Sequence, residues 1–401
     1  MEVDRFFYRV QNNSIEATVN NILREWRDLW PGGLDERQYS TLNLLAHCRE
    51  GSLGFNMARC GRCGHSEWYP SSCGDRHCPT CLGPRQAQWS EQVCERLPDC
   101  PHFHIVFTLP EQLHDLFTMN YRKVADALTD AAAATLKQFQ RNNWKVDGGF
   151  LSVLHTWGSA LNWHPHLHVL VSAGGVDPAT GRWKPVRRDY SFPVKTVSRV
   201  FRAILLSRIE ALDRDTEMVW PDGWRSVEER RQRRVALCAR NFNVFSKATL
   251  GNTRAVVRYL ARYTSRIAMS NSRLVSLDAE KREVTFRWKD YRAGGQVRER
   301  TLSGKLFIWL FTRHLVPKGY RRVRYFGWLA GGQAGLSKLK EGRPGAIGER
   351  VIPSEKPACQ CCHAREWVYV SFFIRLSAPC TTGPVPEVKS RFSLVGQRAG
   401  P

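Results

Sequence analysis

Two C-x-x-C pairs, Cys60-Gly-Arg-Cys63 and Cys78-Pro-Thr-Cys81, stand 14 residues apart in a stretch that also holds Gly61, Gly64, Gly74 and Pro79. Pairs of thiols at this spacing are the means by which two knuckles bring four thiolates into a tetrahedron around zinc. The spacing predicts one zinc ion on Cys60, Cys63, Cys78 and Cys81. Four protein ligands leave no open position, so the expected role is structural. Cys73, His65 and His77 lie in the same loop, and any of them can replace a thiolate or serve a second site. Such a module would present Arg59, Arg62, Arg76 and Arg85 to DNA. Near the C-terminus Cys359, Cys361 and Cys362 sit beside His363, with Cys380 further on, a half-knuckle that lacks a well-spaced partner pair.

A second chemistry is written in His164-Pro-His166-Leu-His168. Residues at i and i+2 of a strand share a face, so His166 and His168 can share one divalent ion while Leu167 points into a core. His155, in the preceding strand pattern LSVLHTW, joins the same face if it pairs with His166 across the connection. Three imidazoles leave coordination positions open for phosphate oxygens, which suits phosphodiester chemistry. His104 is the next candidate for the third ligand.

The third group is Arg258-Tyr259-Leu-Ala-Arg262-Tyr263-Thr-Ser-Arg266. Tyrosines four residues apart stack on one face of a helix. Aromatic pairs at that spacing usually pack a core, but arginines on both sides suit an anionic substrate beside a phenol.

The elements that must position these groups follow from periodicity. Ile15, Val19, Ile22, Leu23 and Trp26, then Leu42, Leu44 and Leu45, read as two or three short helices before residue 50. HFHIVFTLP at 102–110 reads as a buried strand stopped by Pro110, 111–141 as helix, and 150–157 and 166–173 as strands. Helices are expected over 84–96, 194–212, 226–239 and 253–269, with short later strands in VTFRW and YRRVRYFGW. Strands interleaved with long helices, without regular βαβ repetition, argue for an α/β or α+β core rather than a doubly wound sheet.

Composition narrows the partner. The 60 Lys+Arg against 37 Asp+Glu leave a net charge of +23, a field that attracts polyanions, and 11% aromatic residues suit nucleic acid. The N-terminus lacks the basic flank and apolar run of a leader, and no stretch approaches the ~20 apolar residues of a membrane span. A cytoplasmic protein is expected, with its 13 cysteines reduced and read as metal ligands or core residues before disulfides. Arg230, Arg231, Arg233 and Arg234 read as a helix contacting DNA backbone rather than bases.

In combination the motifs carry a resemblance. HFHIVFTLP, HPHLHVLV and YLARYTSRIAMSNSRL resemble, in that order, the three motifs of the two-tyrosine rolling-circle transposases of the insertion-sequence-ninety-one family and the related ISCR elements. CGRCGH and SCGDRHCPTC are similar to that family's N-terminal zinc-binding domain, and LSGKLFIWLFTRHLVPKGYRRVRYFGWLA to its C-terminal part. The resemblance runs from about residue 40 to 365; residues 1–39 and the tail past 376 fall outside it.

What the resemblance implies is an α+β fold of HUH type, an antiparallel sheet flanked by helices and preceded by a small zinc-ribbon-like module. The expected domains are a helical segment over 1–50, zinc-binding 51–96, catalytic 97–330, and a C-terminal region 331–401 with a cysteine knuckle and frayed tail. Tyr259 or Tyr263 attacks a phosphodiester of single-stranded DNA, giving a 5′-phosphotyrosine and a free 3′-hydroxyl. Magnesium or manganese on His166, His168 and His155 assists, and Arg258, Arg262 and Arg266 bind neighbouring phosphates. A replication initiator or relaxase would share this chemistry. A zinc-dependent DNA-binding protein without catalysis would keep the same histidines and tyrosines as core.

Overall fold

The computed structural model describes residues 16–81, 89, 91–93, 97–98, 100–187, 192–215, 217–248, 268–331 and 357–372. The chain divides into two compact units, Met1–Cys48 with Ser72–Pro357, and Arg49–Ser71 with Ala358–Pro401. The smaller unit is a three-stranded antiparallel sheet of β1 (Phe55–Cys60), β2 (Ser66–Pro70) and β12 (Trp367–Phe372) in the order β12-β1-β2.

The larger unit is built on an antiparallel sheet of β3 (His102–Thr108), β4 (Asp147–Trp157), β5 (Trp163–Val176), β7 (Val244–Ala248) and β11 (Val323–Phe326). Its order is β11-β4-β5-β3-β7, with β6 (Trp183–Pro185) added on β5. Odd and even positions go to opposite faces. One face carries Phe103, Ile105, Phe107, Phe150, Leu154, Leu167, Val169 and Val171 into the main core. Helices Tyr121–Phe139 and Val194–Asp215 cover it, supplying Val124, Leu128, Leu136, Val197, Phe201 and Leu205. Ala131, Ala132 and Ala133 are buried in the first helix, and such small side chains let it approach the strands closely.

The opposite face is covered over part of its length, where Leu151, Val153 and Leu170 pack with Val93, Leu97 and Leu329. Further along the same face stand the histidines described below.

A second core in the same unit joins the N-terminal helices Val19–Glu25 and Glu36–Ala46 to a meander of β8 (Leu274–Asp278), β9 (Glu283–Asp290) and β10 (Gln296–Ser303) and to helix Gly304–Arg313. Ile22, Leu23, Trp26, Leu42 and Leu45 meet Val284, Phe286, Phe307, Ile308 and Phe311 there. The second helix starts on a capping box between Asp35 and Gln38, which satisfies two otherwise orphaned N–H groups.

The expected α+β class with an antiparallel sheet flanked by helices is therefore what the structure shows. Two boundaries differ. A break at residue 50 does not isolate the N-terminal helices, because their apolar faces are completed by residues some 250 positions later. The module expected over 51–96 is not one body either: Arg49–Ser71 belongs to the smaller unit and Ser72 onward to the larger. The helices expected over 84–96 and 253–269 lie largely outside the described residues, as does the tail past 372. No described helix is long and apolar enough to cross a membrane.

His314 caps helix Gly304–Arg313 and is buried. Its Nδ1 lies 3.2 Å from the Thr156 hydroxyl and its Nε2 3.3 Å from the Leu161 carbonyl, and its ring stacks on Trp163. Burial pushes this imidazole down to about 3. Its unfolded-state value is near 6.5, so above that pH both states are neutral and nothing is gained or lost. Below it the unfolded chain takes up a proton that the folded one refuses. Stability should fall by up to about 1.4 kcal/mol per pH unit from this residue until the pH nears its folded-state value. Urea denaturation at pH 7.5, 6 and 5 measures the slope, and His314→Gln should flatten it; an unchanged slope would exclude His314 as a source.

Candidate metal centres and active site

The β4–β5 hairpin sets the histidine geometry. His155 pairs directly with His166, and His168 stands opposite Val153, so period-2 alternation places His155, His166 and His168 on one face. All three are buried, and their ligand atoms lie within 4.8 Å of one another. The hairpin loop is held by the Gly158 N–H donating to Asn162 O at 2.9 Å and the Leu161 N–H to Gly158 O at 3.1 Å. A bulge between His155 and Trp157 ends the regular register, and the Trp157 ring stacks on His155 at 4.6 Å.

Hydrogen bonds orient the rings. His166 Nδ1 donates to the His164 carbonyl at 2.6 Å, which leaves its Nε2 as a lone pair. That Nε2 lies 3.1 Å from His168 Nε2. On the far side of His168, Nδ1 lies 2.9 Å from His104 Nε2 in the neighbouring strand β3, with the two rings stacked. When His168 Nδ1 carries the proton toward His104, both Nε2 lone pairs face each other across 3.1 Å, a contact that a shared cation relieves. His104 thus stands behind His168 and outside the three-histidine group. Burial pushes His166 down to about 3 and His104 to about 4, so both are neutral, the ligating form, near neutral pH.

The cysteines group differently from their spacing. Among the described residues Cys48, Cys73, Cys78 and Cys81 form one cluster, and Cys60, Cys63, Cys359 and Cys362 another. A C-x-x-C pair specifies half of a site, and which halves meet is decided by tertiary packing. Cys48 follows helix Glu36–Ala46 and was invisible as a ligand because no second cysteine stands at knuckle distance from it.

In the first cluster Cys48 Sγ lies 3.6 Å from Cys81 Sγ, and Cys73 Sγ 3.8 Å from Cys81 Sγ. Four sulfurs about 2.3 Å from a zinc ion are roughly 3.8 Å apart, so the donors fit a tetrahedral ion and not disulfides. The Cys73 N–H points at Cys48 Sγ, and the Asn20 amide bridges Cys78 Sγ and Leu45 O.

Of the alternatives in this loop, Cys73 is in the cluster while His65 and His77 are not. His77 instead donates from Nδ1 to Asp75 at 2.8 Å and accepts the Val316 N–H at Nε2. Burial pushes the Asp75 carboxyl up, but His77 and Arg37 outweigh it and hold it at about 2. Arg76 is not offered to DNA: its guanidinium is bound to the carbonyls of Tyr320 and Pro317 at 2.7 and 2.9 Å. Arg59 and Arg62 are exposed, and Arg85 is outside the described residues.

The arginine run on helix Val227–Cys238 is engaged within the protein. Arg230 pairs with Asp213, Arg231 with Glu228 and Arg234 with Glu210, while Arg233 bonds Gly223 O and lies over Trp224. Tyr259, Tyr263, Arg258, Arg262 and Arg266 lie outside the described residues.

Comparison with known proteins finds relatives over most of the chain. Residues 18–109 match the family model described as "Transposase zinc-binding domain", and residues 149–336 the one described as "Putative transposase". The first span holds all four cysteines of the first cluster and the second all three histidines. "Putative transposase y4qJ" of Sinorhizobium fredii (strain NBRC 101917 / NGR234) is 34% identical over 370 residues, 86% of this chain and 92% of the relative. "Transposase for insertion sequence element IS801" of Pseudomonas savastanoi pv. phaseolicola is 33% identical over 304 residues, 75% of this chain and 72% of the relative. Among solved structures, the conjugative relaxase TrwC in complex with OriT DNA overlaps 40% of this chain and 71% of its own at a TM-score of 0.23 and 12% identity, too loosely to bear on the fold. With two relatives above 30% identity over most of their length and a matching zinc-binding domain, the chain belongs to the insertion-sequence-ninety-one family of rolling-circle transposases.

Proposed function

We propose that this transposase cleaves and rejoins single-stranded DNA at element ends through a tyrosine–phosphate link, with a divalent cation held by His155, His166 and His168. The observation that supports it most directly is the paired Nε2 atoms of His166 and His168, 3.1 Å apart, each ring oriented from behind by a carbonyl or by His104. Two nitrogens about 2.1 Å from one ion at a right angle stand roughly 3 Å apart. Three protein ligands leave positions open for phosphate oxygens. The bound ion supplies charge stabilisation at the phosphorus and fixes its orientation. Imidazoles suit manganese better than magnesium, which prefers oxygen ligands.

The chain's own groups do the rest. Tyr259 and Tyr263 are the proposed nucleophiles. A phenol oxygen bonds to phosphorus as the bond to the 3′-oxygen breaks, the 3′-oxygen takes up a proton, and the cleaved bond is conserved in the phosphotyrosine. A phenol's ordinary pKa near 10 makes it a weak nucleophile at neutral pH, so placement beside a polarised phosphate is what activates it. Arg258, Arg262 and Arg266 are proposed to hold the flanking phosphates. A first zinc ion on Cys48, Cys73, Cys78 and Cys81 is proposed as structural, since its four thiolates leave no position for substrate.

Two outcomes follow. His166→Ala or His168→Ala should lower adduct formation with a single-stranded element end by 10²-fold or more, on the order of the loss of one main stabiliser of transition-state charge, and leave zinc content unchanged. Wild-type rates in either variant, measured after chelation and manganese return, would refute the cation site.

Tyr→Phe removes one oxygen while keeping the ring, so folding should survive. Each single variant, at 259 or 263, should lose transposition, at least one should still form a denaturation-resistant adduct, and the double variant should form none. An adduct formed by the double variant would exclude both tyrosines, and only reversible DNA binding by the wild type would mean a binding protein without this catalysis.

A further inference from the structure

Among its described residues the smaller unit has very little apolar core. Its buried cluster consists of Ala58, Cys60, Cys359 and Trp367, with Cys362 and Ala364 packed against it. Three short strands with so little apolar burial do not hold together in water without a staple. The staple is visible in the turns. Cys60-Gly-Arg-Cys63 starts on the last residue of β1, and there the Cys60 N–H donates to His65 O at 2.7 Å and the Gly64 N–H to Cys60 O at 3.0 Å. Cys359-Gln-Cys-Cys362 repeats this turn: the Cys359 N–H donates to Ala364 O at 2.8 Å and the His363 N–H to Cys359 O at 2.9 Å.

Even the backbone conformation matches. Gly64 and His363 occupy equivalent positions, each with positive φ, at +74° and +58°. Histidine is one of the few residues besides glycine that enter that region readily, so both turns carry a residue suited to it. The Gly61 N–H donates to Glu366 O at 2.8 Å and joins the two turns. Across them Cys60 Sγ lies 3.6 Å from Cys362 Sγ, and Cys63 Sγ 3.7 Å from Cys359 Sγ. Both separations suit the edges of a zinc tetrathiolate, roughly 3.8 Å, and neither suits a disulfide near 2.05 Å.

We propose that Cys60, Cys63, Cys359 and Cys362 hold a second zinc ion, separate from the first, which closes a zinc ribbon from two sequence segments 296 residues apart. Cys359 and Cys362 lie beyond the span matched by the zinc-binding-domain model, which ends at residue 109. The function of the ion is to fix β12 on β1, so that the segment from residue 358 is part of a folded unit and not a loose extension. Cys361, exposed and outside the cluster, is not a ligand. This assignment is independent of the catalytic reading.

Zinc content of the purified full-length chain, measured by elemental mass spectrometry, tests it. Two zinc ions per wild-type chain are expected, one in Cys359→Ser/Cys362→Ser, and two in Cys361→Ser. X-ray absorption of the wild type, which needs no variant to fold, should show four sulfurs around zinc and no nitrogen. Limited trypsinolysis should release the segment around 358–372 faster from the double variant than from the wild type. One zinc in the wild type, two in the double variant, iron in the second position, or mixed nitrogen and sulfur coordination would each overturn the proposal.

Discussion

The pairing of His155 with His166 is the constraint on which the larger unit depends. A strand slipped by one residue turns every side chain to the other face. Here a slip would send His155, His166 and His168 among Phe103, Phe107 and Phe201 and expel Leu154, Leu167 and Val169 from the core. Burial on both faces makes that exchange costly in each direction, so the register is fixed by the same packing that stabilises the sheet. β3 then joins β5 with Thr108 opposite His166 and Val106 opposite His168, which brings His104 behind His168. The site therefore needs no precise loop; it needs the hairpin in register.

The structure holds two kinds of donor set. Where a closed set of four thiolates joins a weakly cored segment, the free energy of ion binding would supplement burial. The three imidazoles stand on a well-packed sheet, where an ion would add little to stability and, on the proposed reading, would keep positions for phosphate oxygens. The first cysteine cluster sits against the core formed by Val19, Leu23, Leu42 and Phe311, so it extends a packed body. Among the described residues the second has hardly any core to extend.

The central fold was legible because its signals are local. The alternation of 102–108, 147–157 and 163–176, and the long amphipathic helices, follow from periods of two and 3.6 residues. The convergence of three histidines was legible too, because a hairpin partner is a near neighbour in sequence. Ligand sets joining distant segments were not. Cys48 carries no spacing signal at all, and Cys359 and Cys362 meet Cys60 and Cys63 only through the pairing of β12 with β1. The one readable clue was a pair of Cys-x-x-Cys turns each followed by a residue able to take positive φ, Gly64 in one and His363 in the other. His104 is a possible ligand on sequence grounds, but ring orientation, which separates ligand from support, is not written in spacing.

Charge is the feature that sequence overstates most easily. A net charge of +23 makes a polyanion the natural partner, yet it does not say which cations meet it. Arg76 serves backbone carbonyls, and desolvation pushes the Arg322 guanidinium down to about 10. Arg76 reaches a phosphate only by breaking those bonds. Arg231 differs, since its pairing with Glu228 is exposed, and exposed ion pairs stabilise by at most about 1 kcal/mol. A phosphate oxygen can replace that carboxylate at almost no cost. The separation between cations that build the protein and cations that bind DNA is thus one of burial, not of count, and an arginine already paired at the surface is as available to DNA as one that stands alone.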